Sequence, residues 1–130
     1  MRALLNAPRI ALSLVATIDT QVAGHAMFTK CGVTGTSIGA ALLGPLAVAP
    51  ARQGQGVGSA IVRAGSERLK DAGVSLVCVL GDPAYYGRLG FVPESSVKPP
   101  FSLPTEWEHA WQSQNLGGIR TTVGGRLAVP

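Results

Sequence analysis

An apolar run over residues 37–48, a glycine-dense turn, an amphipathic helix and a second apolar run over 74–80 follow one another directly. This succession constrains the fold more than any other feature of the chain. Residues 55–72 carry helical periodicity, with Val57, Ala60, Ile61, Ala64 and Leu69 on one stripe. Ser59, Arg63, Ser66, Glu67 and Lys70 face elsewhere, and Gly73 ends the helix as a left-handed cap. Strand–helix–strand of this length implies a right-handed crossover and parallel pairing of the two strands. The first strand reads as buried on both faces. Gly39, Gly44 and Pro45 within it point to a bulge, or to a close approach to the backbone.

The flanking segments complete an α/β (or α+β) domain with a mixed sheet. Residues 10–17 and 22–30 are β-leaning runs around the turn Asp19-Thr20-Gln21, so they form a hairpin. A polar, glycine-containing loop over 32–36 follows. After the crossover, Asp82 is an N-cap and Pro83 takes the first position of a short helix through Leu89. Gly90 stops that helix and Phe91-Val92 starts another strand. Lys98-Pro99-Pro100 and Pro104 mark an extended linker, residues 106–112 one or two helical turns, and 119–129 a closing strand interrupted at Gly124-Gly125.

With 130 residues the chain is one domain, 1–130, large enough to bury a core without disulfides or metal. A hydrophobic share of 46% against 14% charged residues excludes disorder. So little charge also implies apolar surface covered by a second subunit, and a homodimer is expected. The net charge is +4, but the basic residues are scattered without interleaved aromatics, which argues against nucleic acid. Cys31 and Cys78 form no CxxC pair and have no histidine at ligand spacing, so a reduced cytoplasmic protein without a metal site is expected. Asn6, Pro8 and Arg9 break the early apolar run that would otherwise resemble a signal peptide. No run of about 18 apolar residues is available to span a membrane.

The turn itself is Gln53-Gly54-Gln55-Gly56-Val57-Gly58-Ser59. Its glycines leave backbone N–H groups bare at the positive end of a helix, an arrangement suited to phosphate or pyrophosphate. A P-loop would need Lys and then Ser/Thr after the last glycine, and Gly58 is followed by Ser59-Ala60. A dinucleotide fingerprint would need GxGxxG, which this spacing does not match. The turn taken alone also permits an ordinary helix entry.

One crossover later comes Gly81-Asp82-Pro83-Ala84-Tyr85-Tyr86-Gly87-Arg88-Leu89-Gly90-Phe91. Together the two stretches resemble the GNAT-type N-acetyltransferase superfamily, over residues 10–91 most clearly. Gln53, Gly56 and Gly58 match the family's pyrophosphate loop, and Tyr86 matches its tyrosine four residues before a Gly-Phe pair. The resemblance implies a mixed sheet whose fourth and fifth strands splay apart, flanked by helices. It implies acetyl-coenzyme A as cofactor, its pantetheine arm pairing with the backbone at Leu46, Ala47 and Val48. A backbone N–H there would polarise the thioester carbonyl. Its pyrophosphate would be held by N–H groups of Gln53, Gly54, Gln55, Gly56, Val57, Gly58 and Ser59. An acceptor amine of a small molecule or peptide would attack directly, with Tyr86 protonating the thiolate of coenzyme A. Tyr85 is expected to point elsewhere on its helix, and Asp82 to act as the cap.

The general base is the least defined role. No acid occurs between Thr20 and Ser66, so the fourth strand offers none. His25, on the second strand of the hairpin, is the candidate, because imidazole titrates near neutrality. Glu94, His109, a water chain, or an acceptor arriving already deprotonated are the alternatives. Cys78 lies mid-strand without a neighbouring base or cation and reads as buried and inert. Nine residues precede Ile10, too few for the strand-and-helix unit that walls the acceptor side in the family, so the acceptor half is expected to be shortened. That shortening keeps a second reading open, a module that binds acyl-coenzyme A without turnover. An unrelated phosphate-binding domain is the third.

Overall fold

The computed structural model describes residues 2–4, 10–117 and 125–128. A short strand β1 (Arg2–Leu4) pairs antiparallel with β2 (Ile10–Ile18), so part of the nine-residue lead adds an edge strand to the sheet. β2 turns into β3 (Gln21–Val33) through Asp19 and Thr20, whose φ values of +51° and +65° give the two-residue mirror-image turn that twisted hairpins favour. β3 runs past the expected end because its last residues, Gly32 and Val33, find a second partner in β9 (Gly125–Ala128). Of the predicted closing strand, residues 119–124 and 129 lie outside the described residues.

β4 (Gly39–Val48) pairs antiparallel with β3 along its length. Gly44 and Pro45 together oppose Met27, so the bulge expected from the glycines and proline is present there. Burial on both faces holds only for the first half: Ala40, Ala41 and Leu43 are buried, whereas Pro45 and Ala47 are exposed. The cause is the neighbour. β5 (Leu76–Leu80) pairs parallel with β4 only from Ala40↔Leu76 to Leu42↔Cys78. Beyond Leu42 the two strands part, and the second half of β4 borders an opening.

A 3-10 turn (Pro50–Arg52) leads from β4 towards helix α1 (Val57–Asp71), and Gly73 ends the segment at φ +88°. The buried stripe of α1 is Val57, Gly58, Ile61, Val62, Gly65 and Leu69, rotated from the predicted one. Ala60 is exposed and Ala64 only half-buried. The rotation follows from Gly65, where a Cβ would collide with the ring of Phe28. Glycines on the stripe let the helix sit closer to β2 and β3 than a face of larger side chains permits.

Helix α2 (Pro83–Gly87) is capped by Asp82, whose Oδ1 accepts from Ala84 N at 2.9 Å, as its sequence implies. The short strands β6 (Val92–Pro93) and β7 (Val97–Lys98) follow, and then a 3-10 turn over Thr105–Ala110. Trp111–Asn115, whose first residues were expected to be helical, is strand β8 and lies between β5 and β6. The sheet order is therefore β1-β2-β3-β4-β5-β8-β6, with β9 joining β3 to β7. One core lies under α1, around Leu12, Leu14, Phe28 and Ile61. The other lies on the opposite face, around Leu76, Cys78, Val97 and Trp111.

Candidate active site

Where β4 leaves β5, a cleft of about 530 Å³ opens between the second half of β4, the glycine turn and α2. Leu46 and Val48 supply one wall, Gln53, Gly54, Gly56, Val57, Gly58 and Ser59 the rim, and Tyr85, Tyr86, Arg88 and Leu89 the facing wall. Most residues assigned to the cofactor from sequence therefore converge. Ala47 and Gln55 do not line the cleft. Ala49 N–H bonds across to Ala23 O at 2.8 Å, so strand alternation turns Ala47's backbone to β3 as well. The backbone groups of Leu46 and Val48 face the β5 side. Gln55 instead folds its amide onto Ala51 O at 3.3 Å. The Gln53 amide donates to Val48 O at 3.3 Å and ties the turn to the end of the strand.

The turn achieves its shape through Gly54 and Gly56, at φ +79° and +80°. These left-handed values are costly for any residue with a Cβ. Gly56 is the N-cap of α1, with no side-chain cap bond and no acid in the first turn. The N–H groups of that turn thus have no competing side-chain anion, and the helix dipole adds positive potential. Arg52 and Arg88 line the same cleft. Arg52 reaches Asp19 at 4.0 Å, an exposed pairing of small energetic weight.

Gly58 has a different task. A Cβ there would strike the Tyr85 hydroxyl, so the glycine admits the phenol to the floor of the cleft. Tyr85 therefore does not point away, as its sequence position suggested. Its ring stands edge-on to Tyr86, with centroids 5.0 Å apart, and the Arg88 guanidinium lies 5.9 Å from the Tyr85 centroid. Tyr86 is held between Tyr85 and Phe91, 5.6 Å away, and a Cβ on Gly81 would collide with its ring. Burial, reinforced by Tyr85, pushes the Tyr86 phenol above its ordinary range. Tyr86 therefore carries its proton at neutral pH.

His25 lies elsewhere. Its register partners are Val15 and Ala47, on the sheet face opposite α1, and its Nε2 is 3.1 Å from Ser13 Oγ. Cys78 is fully buried, and burial raises the Cys31 thiol. Arg52, Tyr85 and Arg88 are the site residues that sequence reasoning missed. Arg52 stands immediately before the glycine turn and Arg88 two residues after Tyr86, so adjacency to the two motifs was the available signal.

Residues 10–93 match the Acetyltransferase (GNAT) domain family. The chain is 36% identical over 124 residues to the uncharacterized N-acetyltransferase YjhQ of Escherichia coli K12, covering 92% of this chain and 68% of that protein. Its structure is similar to the GNAT family N-acetyltransferase YhbS of Escherichia coli in complex with CoA, with a TM-score of 0.80 and 31% identity over 93% of this chain and 68% of the other. A GNAT family acetyltransferase from Brucella melitensis in complex with acetyl-CoA superposes at a TM-score of 0.67 and 35% identity, over 90% and 64% of the respective chains. By its sequence match and by its splayed sheet, the chain belongs to the GNAT family of acetyl-CoA-dependent N-acetyltransferases.

Proposed function

We propose that this chain transfers an acetyl group from acetyl-coenzyme A to a primary amine of a small molecule or peptide. The observation that carries the reading is one cleft with an uncapped helix N-terminus on one side and a protonated, buried-edge tyrosine on the other. The cleft fits the cofactor. A Cβ at Gly54 or Gly56 would meet no protein atom within 4 Å, so the turn leaves open space where a diphosphate can approach the backbone. N–H groups of that turn and the first turn of α1 would hold the diphosphate, with Arg52 and Arg88 adding charge. The edge of β4 at Leu46 and Val48, which pairs with no strand on the β5 side beyond Leu42, would hold the extended arm as an added strand.

Acetyl-coenzyme A, when bound, would supply an activated thioester: attack by the acceptor amine would form the amide N–C bond and release the thiolate of coenzyme A. Tyr86 Oη delivers its proton to the leaving sulfur. The phenolate then recovers, through solvent, the proton that the amine gives up, which leaves the protein unchanged. His25 takes no proton in this scheme; it buttresses β2 against β3 through Ser13. The sparse charge and the exposed Val22, Val92 and Trp107 support a homodimer, and the reduced cysteines support a cytoplasmic setting.

Calorimetric titration with acetyl-coenzyme A tests the site directly. Wild-type protein is expected to bind in the micromolar range, and Gly56→Glu to bind about tenfold more weakly or worse. The carboxylate would both repel the diphosphate and force a left-handed backbone on a residue with a Cβ. Equal affinity in the two proteins would overturn the assignment.

A further inference from the structure

A smaller pocket of about 180 Å³ adjoins the cofactor cleft, and the scheme above makes no use of it. The two share Ser59, Arg88 and Leu89 in their linings, and these residues mark the junction. Ser59, Arg63, Ser66 and Glu67 form one wall, at the three- and four-residue intervals that keep side chains on one face of α1. Arg88, the C-cap of α2, and Leu89 line the pocket from the other side. Gln114 of β8 ties the two sides together. Its Oε1 accepts from Ser66 Oγ at 3.2 Å, and its Nε2 donates to Leu89 O at 3.3 Å. This bridge fixes the spacing between α1 and the end of α2.

The charges of this pocket are graded along α1. Arg88 stands at the junction, and exposed Arg63 follows Ser59 by one helical turn. Among the described residues neither guanidinium has a carboxylate within ion-pair distance. Arg88 lies 5.9 Å from the Tyr85 ring centroid instead. The Ser59 hydroxyl makes no hydrogen bond to another described residue. The carboxylate of this pocket belongs to Glu67, which follows Ser59 by eight residues, about 12 Å along the helix axis. An anion is therefore drawn to the junction, where Arg88 and the positive end of the α1 dipole lie, with Arg63 beside it.

Coenzyme A carries a second anionic group one ribose away from its diphosphate, the phosphate on the 3′-oxygen. With its arm along β4 and its diphosphate at the glycine turn, its nucleotide end would leave past Ser59 and Arg88. We propose that the adjoining pocket seats this 3′-phosphate, so that the chain selects coenzyme A over 3′-dephospho-coenzyme A. Arg63 is the specificity-determining residue: it pairs with the 3′-phosphate, the Ser59 hydroxyl donates to it, and Arg88 bridges it to the diphosphate. This inference rests on the function proposed above and deepens it by naming the form of cofactor the site selects.

Calorimetric titration of the protein with coenzyme A and with 3′-dephospho-coenzyme A tests the seat. Wild-type protein is expected to bind coenzyme A about tenfold more tightly than the dephospho form at low salt. Raising the salt narrows that preference, because exposed charges are screened. Arg63→Gln is expected to bring the two affinities within about twofold of each other, and Arg63→Glu to invert the preference. Both variants keep the wild-type affinity for the dephospho form, which also reports that they fold. Equal affinity of the wild-type protein for the two forms overturns the seat and leaves the proposed function standing. A preference that persists unchanged in Arg63→Gln and Arg63→Glu overturns the assignment to Arg63. Failure of the wild-type protein to bind either form overturns the proposed function together with the seat.

Discussion

Tyr86 concentrates the chemistry of the proposed reaction in one hydroxyl, and its surroundings make the expected behaviour specific. Replacement by Phe keeps the ring contacts with Tyr85 and Phe91 and removes only the hydroxyl that carries the proton. Turnover is expected to fall about 100-fold with acetyl-coenzyme A affinity unchanged, read by steady-state kinetics beside calorimetry. The phenol is shifted up, chiefly by burial and then by Tyr85. Any alkaline fall in kcat due to its ionisation therefore lies above the ordinary tyrosine value of about 10, and the Phe variant lacks that fall. The same shift fixes the sign for stability. The folded state holds this proton more tightly, so its contribution is complete below about pH 10 and is lost as pH rises through the folded value. His25→Gln is expected to change kcat by less than about twofold, because the ring faces Ser13 outside the cleft; a pH–rate profile that lost its acid limb in this variant would restore the base role. At this scale the motif positions were legible, since glycine spacing and the Tyr86 to Gly90-Phe91 interval are local. The aim of a side chain was not. His25 and Ala47 are cross-strand partners on the face that the first cleft does not use, and only register decides that.

Helix α1 shows how an element can be legible in extent and still be turned the wrong way. Its periodicity marked residues 55–72, and the helix runs Val57–Asp71, but glycines were not counted as core residues. Gly58 and Gly65 are buried because other side chains need their space: the Tyr85 hydroxyl at one and the Phe28 ring at the other. Gly65→Leu would drive a side chain into Phe28 and is expected to cost about 2 kcal/mol, read as a lower Tm, while a substitution at exposed Ala60 leaves Tm near wild type. β8 was missed for a related reason. Trp111-Gln112-Ser113-Gln114-Asn115 has almost no apolar alternation, yet Gln112 and Ser113 are 1% and 3% exposed. They are tolerated inside because Gln112 Nε2 reaches Gly81 O at 3.1 Å and Ser113 Oγ reaches Glu94 at 2.6 Å. Polar residues that meet their partners across strands leave no periodic trace.

On the scale of the whole molecule, the sheet is covered on both faces where β3, the first half of β4 and β5 meet, which sets the fate of the thiols. Cys31 and Cys78 are 3% and 0% exposed, on β3 and β5, and burial raises Cys31. Neither is expected to react with an aromatic disulfide reagent in native protein, and both are expected to react fully in denaturant; fast native labelling would show that the second core opens. The strand–turn–helix–strand succession determined the crossover, the parallel pairing and the glycine turn before α1 by itself, because each depends on chirality, glycine conformation and spacing within about 50 consecutive residues. The tertiary structure alone decided where β4 parts from β5, which faces β8 and β9 cover, and how Tyr85, Arg52 and Arg88 reach one cleft. Those outcomes depend on pairings between residues distant in the chain, and local propensity and periodicity carry no information about such partners.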